Sequence, residues 1–380
     1  MNSPLPGSPE LAYSGESLCL EGQSLDALAS RFGTPLYVYS TAAMRRALAS
    51  YQAGLQGRDH LICYAVKANS SLGVLQWFAA QGCGFDIVSA GELARVLAAG
   101  GEPGHVVFSG VGKTRAEIAT ALEADVLCFN VESEGELEVL ATEAQRLQRV
   151  ARVSLRVNPD VDAGTHPYIS TGLRDNKFGV AHAEAPRLFA KAAADPWLKV
   201  VGIDCHIGSQ IVDVAPYLAA LDRLLDLVET IEAAGVPIGH VDLGGGLGIR
   251  YADEAPPGAD ALLAAMLVRL DRRGHGKRKL LVEPGRSLVG NAGVLVSEVL
   301  YLKHGEAKSF CIVDAAMNDL VRPAMYAAWM EIVACQRRKG EPTCFDVVGP
   351  ICESGDWLGR DRWLDVRPGD RVAVLSAGAY

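Results

Sequence analysis

In this 380-residue chain a lysine, a histidine, a run of glycines and a carboxylate each stand where a short apolar run ends. Lys67 closes Tyr64-Ala65-Val66. Such a lysine often just reaches solvent, but partial burial or a nearby cation lowers its pKa and frees the amine to attack an aldehyde, as a Schiff-base lysine does. In Asp242-Leu243-Gly244-Gly245-Gly246-Leu247-Gly248 consecutive N–H groups are free of side-chain cover and suit a phosphate, although a tight turn explains the glycines equally well. His206, in His206-Ile207-Gly208-Ser209-Gln210, is either a satisfied core histidine or a flat ring against a ligand. Glu283, in Glu283-Pro284-Gly285-Arg286, either pairs with Arg286 or holds a proton on a heteroaromatic nitrogen while Arg286 grips an anion bidentately. Asp86 is the weakest of the set, since a helix cap or a surface carboxylate accounts for it.

Two nucleotide-loop lookalikes fail on spacing. Ile249 stands where the dinucleotide fingerprint needs a third glycine. Gly110-Val111-Gly112-Lys113-Thr114 lacks the glycine required at position 107, where valine stands. Further on, Cys352-Glu353-Ser354-Gly355-Asp356 offers a thiol whose usual fate is inert burial; catalysis would need folding or a neighbouring subunit to deliver it. Arg322, Tyr326 and Tyr380, each taken alone, read as ordinary surface or packing residues.

These residues share a position. From about residue 60, β-branched or apolar runs alternate with helix-like segments. The expected strands are 61–66, 85–88, 105–109, 126–131, 152–157, 200–206, 240–243 and 279–283. Expected helices include 90–99, 114–124, 133–147 and 216–234, with Thr114 and Ser133 as N-caps and Glu117 and Glu136 in capping-box position. Eight strand–helix repeats predict a (β/α)8 TIM-type barrel of about 250 residues, with an open doubly wound sheet as the alternative. In a barrel Lys67, His206, the glycines and Glu283 fall at the C-terminal face, where such folds hold their sites, and Asp86 falls close to it. After Arg286 the runs 293–302, 309–314, 344–348 and 371–376 read as strands without long helices, hence a mainly β C-terminal domain. The expected division is 1–35 joining the β domain, 36–285 as the barrel and 286–380 as the β domain.

Composition narrows the function. Lys plus Arg is 36 against 45 for Asp plus Glu, a net charge of −9. The two basic clusters, Arg272 to Lys279 and Gln336 to Lys339, read as solvated surface turns, so nucleic acid is not an expected partner. Leu218 to Ala234 is interrupted by Asp222, Arg223, Asp226, Glu229 and Glu232, so no membrane span is expected. The N-terminus lacks the basic and apolar segments of a secretory signal. Nine scattered cysteines without a C-x-x-C pair read as reduced thiols of a cytoplasmic protein, with no metal site.

Taken together and in order, these segments resemble the fold-type III pyridoxal-phosphate decarboxylases. The likeness runs from about residue 10 to the end. Its segments are 64–69, 86–93, 165–172 into 176–179, 206–210, 242–248, 283–286, 314–319, 322–326, 352–356 and 377–380. The resemblance implies that Lys67 holds pyridoxal 5'-phosphate, with Asp86 nearby, that His206 stacks on its ring and that Glu283 faces the pyridine nitrogen. It places Ser209, Gly244, Gly245, Gly246, Gly285, Arg286 and Tyr380 around the phosphate. Arg286, Arg322, Tyr326, Glu353 and Tyr380 are implied to bind the charged groups of an amino-acid substrate. Cys352 is the implied proton donor, contributed across a homodimer with shared active sites. The expected reaction is decarboxylation of meso-2,6-diaminopimelate to L-lysine and carbon dioxide, the last step of lysine biosynthesis. The pair Arg322 and Glu353 suits its distal carboxylate and ammonium better than a substrate that yields a simple diamine. The rivals are a decarboxylase of ornithine, lysine or arginine, a racemase on a related barrel, and a non-catalytic cofactor-binding protein. The last resembles the barrel alone, so the β region with Cys352 speaks against it. Relatives continue beyond Gly378-Ala379-Tyr380, where this chain stops, so the β domain is expected to be incomplete at its C-terminus.

Overall fold

The computed structural model describes residues 5–162 and 176–380, which leaves the expected segment 165–172 outside the described residues. The chain forms two compact units. One contains Ala49–Gly248 and Pro256–Gly285; the other contains the described residues up to Leu48 together with Ile249–Ala255 and Arg286–Tyr380.

The first unit is a closed barrel of eight parallel strands: His60–Ala65, Gly84–Ile87, Val106–Phe108, Cys128–Val131, Ala151–Asn158, Leu198–Asp204, His240–Asp242 and Lys279–Val282. Each strand pairs with the next, and the eighth returns to the first through Leu281 opposite Leu61. No edge is left in the ring, so every strand can be apolar on both sides, as the short runs of the sequence demand. Tyr64, Phe85, Phe108 and Phe129 are fully buried among them. A two-residue strand, Val180–Ala181, adds to the C-terminal end of the fifth.

The expected strands and the observed ones coincide to within one or two residues, with one consequence for the site. The sixth and eighth strands stop at Asp204 and Val282, so His206 and Glu283 lie just beyond the ladder, on the C-terminal mouth. Helix starts also follow the side chains. Thr114 and Glu117 form a full capping box on Arg115–Glu123. Ser133 caps Glu134–Leu147, but Glu136 instead accepts from the Glu132 N–H and from Lys113.

Lys113 explains its own lookalike motif. Its side chain is wholly buried, donating to Gly110 O, Asn130 O and Glu136 Oε1 at 2.6–2.8 Å. The basic clusters lie largely at the surface, as expected, with several of their cations partnered there. Arg273 and Arg278 pair with Asp226, Glu229 and Glu232, stapling the end of Ala259–Arg272 to Ala215–Ala233. Arg337 lies 3.6 Å over the Tyr13 ring and Arg338 pairs with Asp370. Acidic partners that were distant in sequence are what hold these cations.

The second unit is built on the twelve-residue strand Gly293–His304, which pairs antiparallel with Ser309–Val313, Arg371–Val374 and Leu36–Tyr39. Leu11, Leu18, Leu20 and Leu25 pack with Val294, Val296 and Leu375, which ties the N-terminal strands to this unit. Two of its strands, Ile332–Ala334 and Trp357–Leu364, were not legible. The first is short, and the second carries Arg360, Asp361 and Arg362 in place of an apolar run.

Truncating Lys113 to Ala leaves the buried Glu136 carboxylate without its cation. We expect a loss of about 3–5 kcal/mol in urea unfolding, where a surface lysine such as Lys199 shows almost none.

Candidate active site

Lys67 stands on a tight turn, Val66–Ala68, directly after the first barrel strand. Val66 and Ala68 are buried, Asn69 N–H closes the turn on Val66 O, and Tyr64 Oη donates to Asn69 O at 3.0 Å. The turn is therefore fixed, and the amine projects at the mouth, 2.6 Å from Asp86 Oδ2. Asp86 is neither cap nor surface group: it is fully buried in the second strand and is the counter-ion of Lys67.

His206 follows the sixth strand, and its Nδ1 accepts from the Gly245 N–H at 3.1 Å. That bond fixes the proton on Nε2 if the ring is neutral. It is neutral: desolvation, aided by Arg156 and Lys67, drives its pKa well below the ordinary value. Ser209 lies on the same turn, which is joined to the glycine run by the Ile211–Leu247 bridge. A Cβ at Gly244 would lie 2.4 Å from Cys205 O, at Gly245 2.2 Å from Glu283 O, and at Gly246 2.3 Å from Gly208 O. Gly244 and Gly246 also have positive φ. Sterics of the crowded barrel end thus demand glycine at all three before any ligand is considered. Gly285 is similarly confined, with Ala65 and Ala68 Cβ atoms about 3 Å from where its own would be.

Below the mouth lies a group the sequence reading did not isolate. Acceptor oxygens of Asp204, Asp242 and Glu283 lie within 4.8 Å of one another, all three buried. Glu283 Oε1 accepts from Asn130 Nδ2 at 3.2 Å, and Asp242 Oδ1 accepts from the Gly244 N–H at 2.9 Å. Asp242 Oδ2 and both oxygens of Asp204 have no donor. Arg156 is the nearest cation, but it pairs with Glu132 and reaches Asp204 only at 3.9 Å. Burial first, then mutual repulsion, raises the pKa of Glu283 and Asp204 well above the carboxylate range; Asp242 is pushed up to about 7. Besides Glu283, only Asp242 was quoted from the sequence, inside the glycine segment. Asp204 carried no signal, because it reads as the tail of an apolar strand.

The remaining candidates belong to the second unit. Arg286 Nη1 donates to Tyr251 Oη at 2.5 Å, and its guanidinium lies 4.7 Å over the Tyr380 ring. Arg322, which taken alone reads as a surface or packing residue, is 7% exposed and stacks 4.1 Å over the Tyr251 ring. Its Nη1 is buried without a partner, and desolvation with repulsion from Arg286 lowers its pKa. Tyr251 was missed entirely; nothing in its local sequence marks it. Glu254 Oε2 accepts the N–H groups of Tyr251 and Ala252 and so shapes the turn that presents it. Tyr326 ends the short helix Arg322–Tyr326, half-buried. Cys352 and Glu353 are exposed on a loop organised by buried Asp356, which accepts from Ile351 and Met317 N–H at 2.7–2.8 Å. The other eight thiols are buried or half-buried.

The carboxylate cluster makes a pH prediction for the cofactor-free chain. A raised native pKa means the folded state binds more protons than the unfolded one, so stability falls as pH rises from the ordinary carboxylate value. Replacing Asp204 with Asn removes one such group. Its unfolding free energy relative to the parent should grow steadily from pH 4 to pH 7; a flat difference would sink this reading of the cluster. His206 acts oppositely near its ordinary pKa but cancels in the comparison.

Among known proteins, residues 41–290 match the sequence profile of the pyridoxal-dependent decarboxylases, pyridoxal binding domain. A diaminopimelate decarboxylase of Pseudomonas aeruginosa is 57% identical over 370 residues, spanning 97% of this chain and 88% of that protein. Among solved structures, diaminopimelate decarboxylase of Helicobacter pylori complexed with L-lysine is 41% identical, with a TM-score of 0.89 over 93% of this chain and 89% of that one. The enzyme of M. jannaschii in co-complex with L-lysine is 36% identical, with a TM-score of 0.93 over 99% and 89%. At that identity and coverage, joined to a closed barrel with lysine, histidine and buried acids at its mouth, the chain belongs to the pyridoxal-dependent decarboxylases, among the diaminopimelate decarboxylases.

Proposed function

We propose that this protein is a pyridoxal-phosphate-dependent decarboxylase that converts meso-2,6-diaminopimelate to L-lysine and carbon dioxide. The observation that carries the reading is Lys67: a primary amine fixed at the barrel mouth, ion-paired to a buried carboxylate, with its charge acting on both His206 and Glu283. The donor set fits the cofactor. An amine for its aldehyde, a neutral imidazole for its ring and a buried acid for its pyridine nitrogen stand at one barrel end, beside glycines that leave the backbone bare. Bound there, pyridoxal phosphate supplies an electron sink for the pair left on the α-carbon when carbon dioxide departs.

The chain's own groups have separate tasks. Asp86 holds Lys67 in place until the amine is needed. Glu283 would keep a proton on the ring nitrogen, and His206 would bound the ring as a flat uncharged face. Ser209, Gly244, Gly245, Gly246 and Gly285 would hold the phosphate, with Arg286 and Tyr380 as the further candidates for it. Arg322, with a buried donor lacking a partner, calls for an anion, and the distal carboxylate of the substrate supplies one. Tyr326, Tyr380 and Arg286 complete that grip, and Glu353 takes the distal ammonium. Cys352 Sγ delivers the proton to the α-carbon. Its exposure supports that role, because burial pushes thiols such as Cys63 and Cys128 far up and leaves them inert. An exposed thiol on a loop suits a homodimer in which each subunit completes the other's site. Nine free thiols support a cytoplasmic setting.

The test is direct. Incubated with pyridoxal phosphate and meso-diaminopimelate, the protein should release carbon dioxide and yield lysine. Turnover of lysine or ornithine instead would overturn the substrate, and racemisation without gas would overturn the reaction. Lys67→Ala should lose the visible absorbance of the bound cofactor together with activity. Cys352→Ala should keep the absorbance and lose most of kcat.

A further inference from the structure

The second unit buries two guanidiniums that start separate short helices, Arg286–Val289 and Arg322–Tyr326. Like charges held out of water repel, and Arg286 does act on Arg322 in that sense. The acid that acts on Arg322 in return is Glu254, whose Oε2 is already committed to the N–H groups of Tyr251 and Ala252 at 2.9 and 2.8 Å. Arg322 Nη1 is left buried with no partner. Such a pair needs something to hold it in one geometry.

Tyr251 touches both arginines, each with a different part of its side chain. Its Oη accepts from Arg286 Nη1 at 2.5 Å, while the Arg322 guanidinium lies 4.1 Å from its ring centroid. Tyr251 is itself fixed. It is 3% exposed and packs in a core cluster with Ile249, Leu295 and Val313. Its backbone is held as well: besides the Glu254 bonds, Asn291 Nδ2 donates to Arg250 O at 2.9 Å and Arg250 Nε to Ala252 O at 2.8 Å. Arginine has many rotamers to lose, so a rigid aromatic post that orders two of them during folding lowers what binding must still order.

We propose that Tyr251 is a positioning residue for the substrate: its hydroxyl sets Arg286 and its ring sets Arg322, so that both guanidiniums stand ready for the distal carboxylate. The inference rests on the reading that Arg322 and Arg286 grip that carboxylate. With so little surface of its own, Tyr251 acts through the arginines. The distal carboxylate is unchanged by the reaction, so loosening its grip costs binding and spares the chemical step.

The two contacts can be removed separately. Tyr251→Phe keeps the ring for Arg322 and takes the acceptor from Arg286; Tyr251→Leu removes both. Two probes read the result: L-lysine, which retains the carboxylate that decarboxylation spares, and cadaverine, the same skeleton without it. In calorimetry on the protein loaded with pyridoxal phosphate, L-lysine should bind about tenfold more weakly to Tyr251→Phe, as expected for losing a hydrogen bond to a charged group. Tyr251→Leu should weaken it about tenfold again, because the stacking is lost too. Cadaverine should bind all three proteins alike. With meso-diaminopimelate, Tyr251→Phe should raise KM by about the same tenfold while kcat stays near the parent's. Equal weakening of both probes, or of neither, overturns the proposal, and Tyr251→Phe decides this even if Tyr251→Leu fails to fold. Arg322→Gln separates the two readings. If it leaves L-lysine binding unchanged, the assignment of the distal carboxylate to Arg322 is what fails; if it weakens that binding while Tyr251→Phe does not, the role of Tyr251 fails.

Discussion

A surplus of buried negative charge at one end of a closed barrel governs this structure. Five carboxylates act on one another there against two cations. Burying charge without a partner is costly, so each acid is paired, hydrogen-bonded or protonated. Within this arrangement His206 is kept uncharged by desolvation first, aided by repulsion from Arg156 and Lys67. The arrangement also leaves the barrel end suited to a cationic ring, whose charge offsets part of the surplus. The local chemistry of Lys67, His206 and Glu283 follows from this shared electrostatic setting more than from any one contact.

Backbone crowding is what makes the setting rigid. At the ends of the sixth, seventh and eighth strands, carbonyls of Cys205, Gly208 and Glu283 press on Gly244, Gly246 and Gly245 so closely that no Cβ fits. Chains packed this tightly hold side chains such as His206 and Asp242 through backbone bonds. The second unit uses a related device. Buried or half-buried carboxylates, Asp356 and Glu254, gather backbone N–H groups and so shape the turns bearing Cys352 and Tyr251. A carboxylate that accepts two such bonds defines a loop more sharply than apolar packing does.

The barrel was legible because each of its strands is a short apolar run closed on both faces, and those runs differ in period from the helices between them. Lys67, His206 and Glu283 were legible because they break such runs at the same end. The β unit was read less completely. Trp357–Leu364 is interrupted by three consecutive charged residues, and Leu36–Tyr39 pairs with a strand more than 250 residues away. The basic stretches lie largely at the surface as read, but the partners of one of them, Asp226, Glu229 and Glu232, were not legible because they lie on a separate helix. Asp86 looked dispensable until its distance to Lys67 was known.

Sequence alone determined which residue types stand at strand ends, and therefore the class of fold and the amine, imidazole and acid available to it. Residue order encodes periodicity, and periodicity is a local property. Tertiary structure alone decided which charges meet: Asp86 with Lys67, Asp204 and Asp242 with Glu283, Tyr251 between Arg286 and Arg322. Coulomb energies and desolvation depend on separation through space and on distance from water, and closing the chain upon itself sets both.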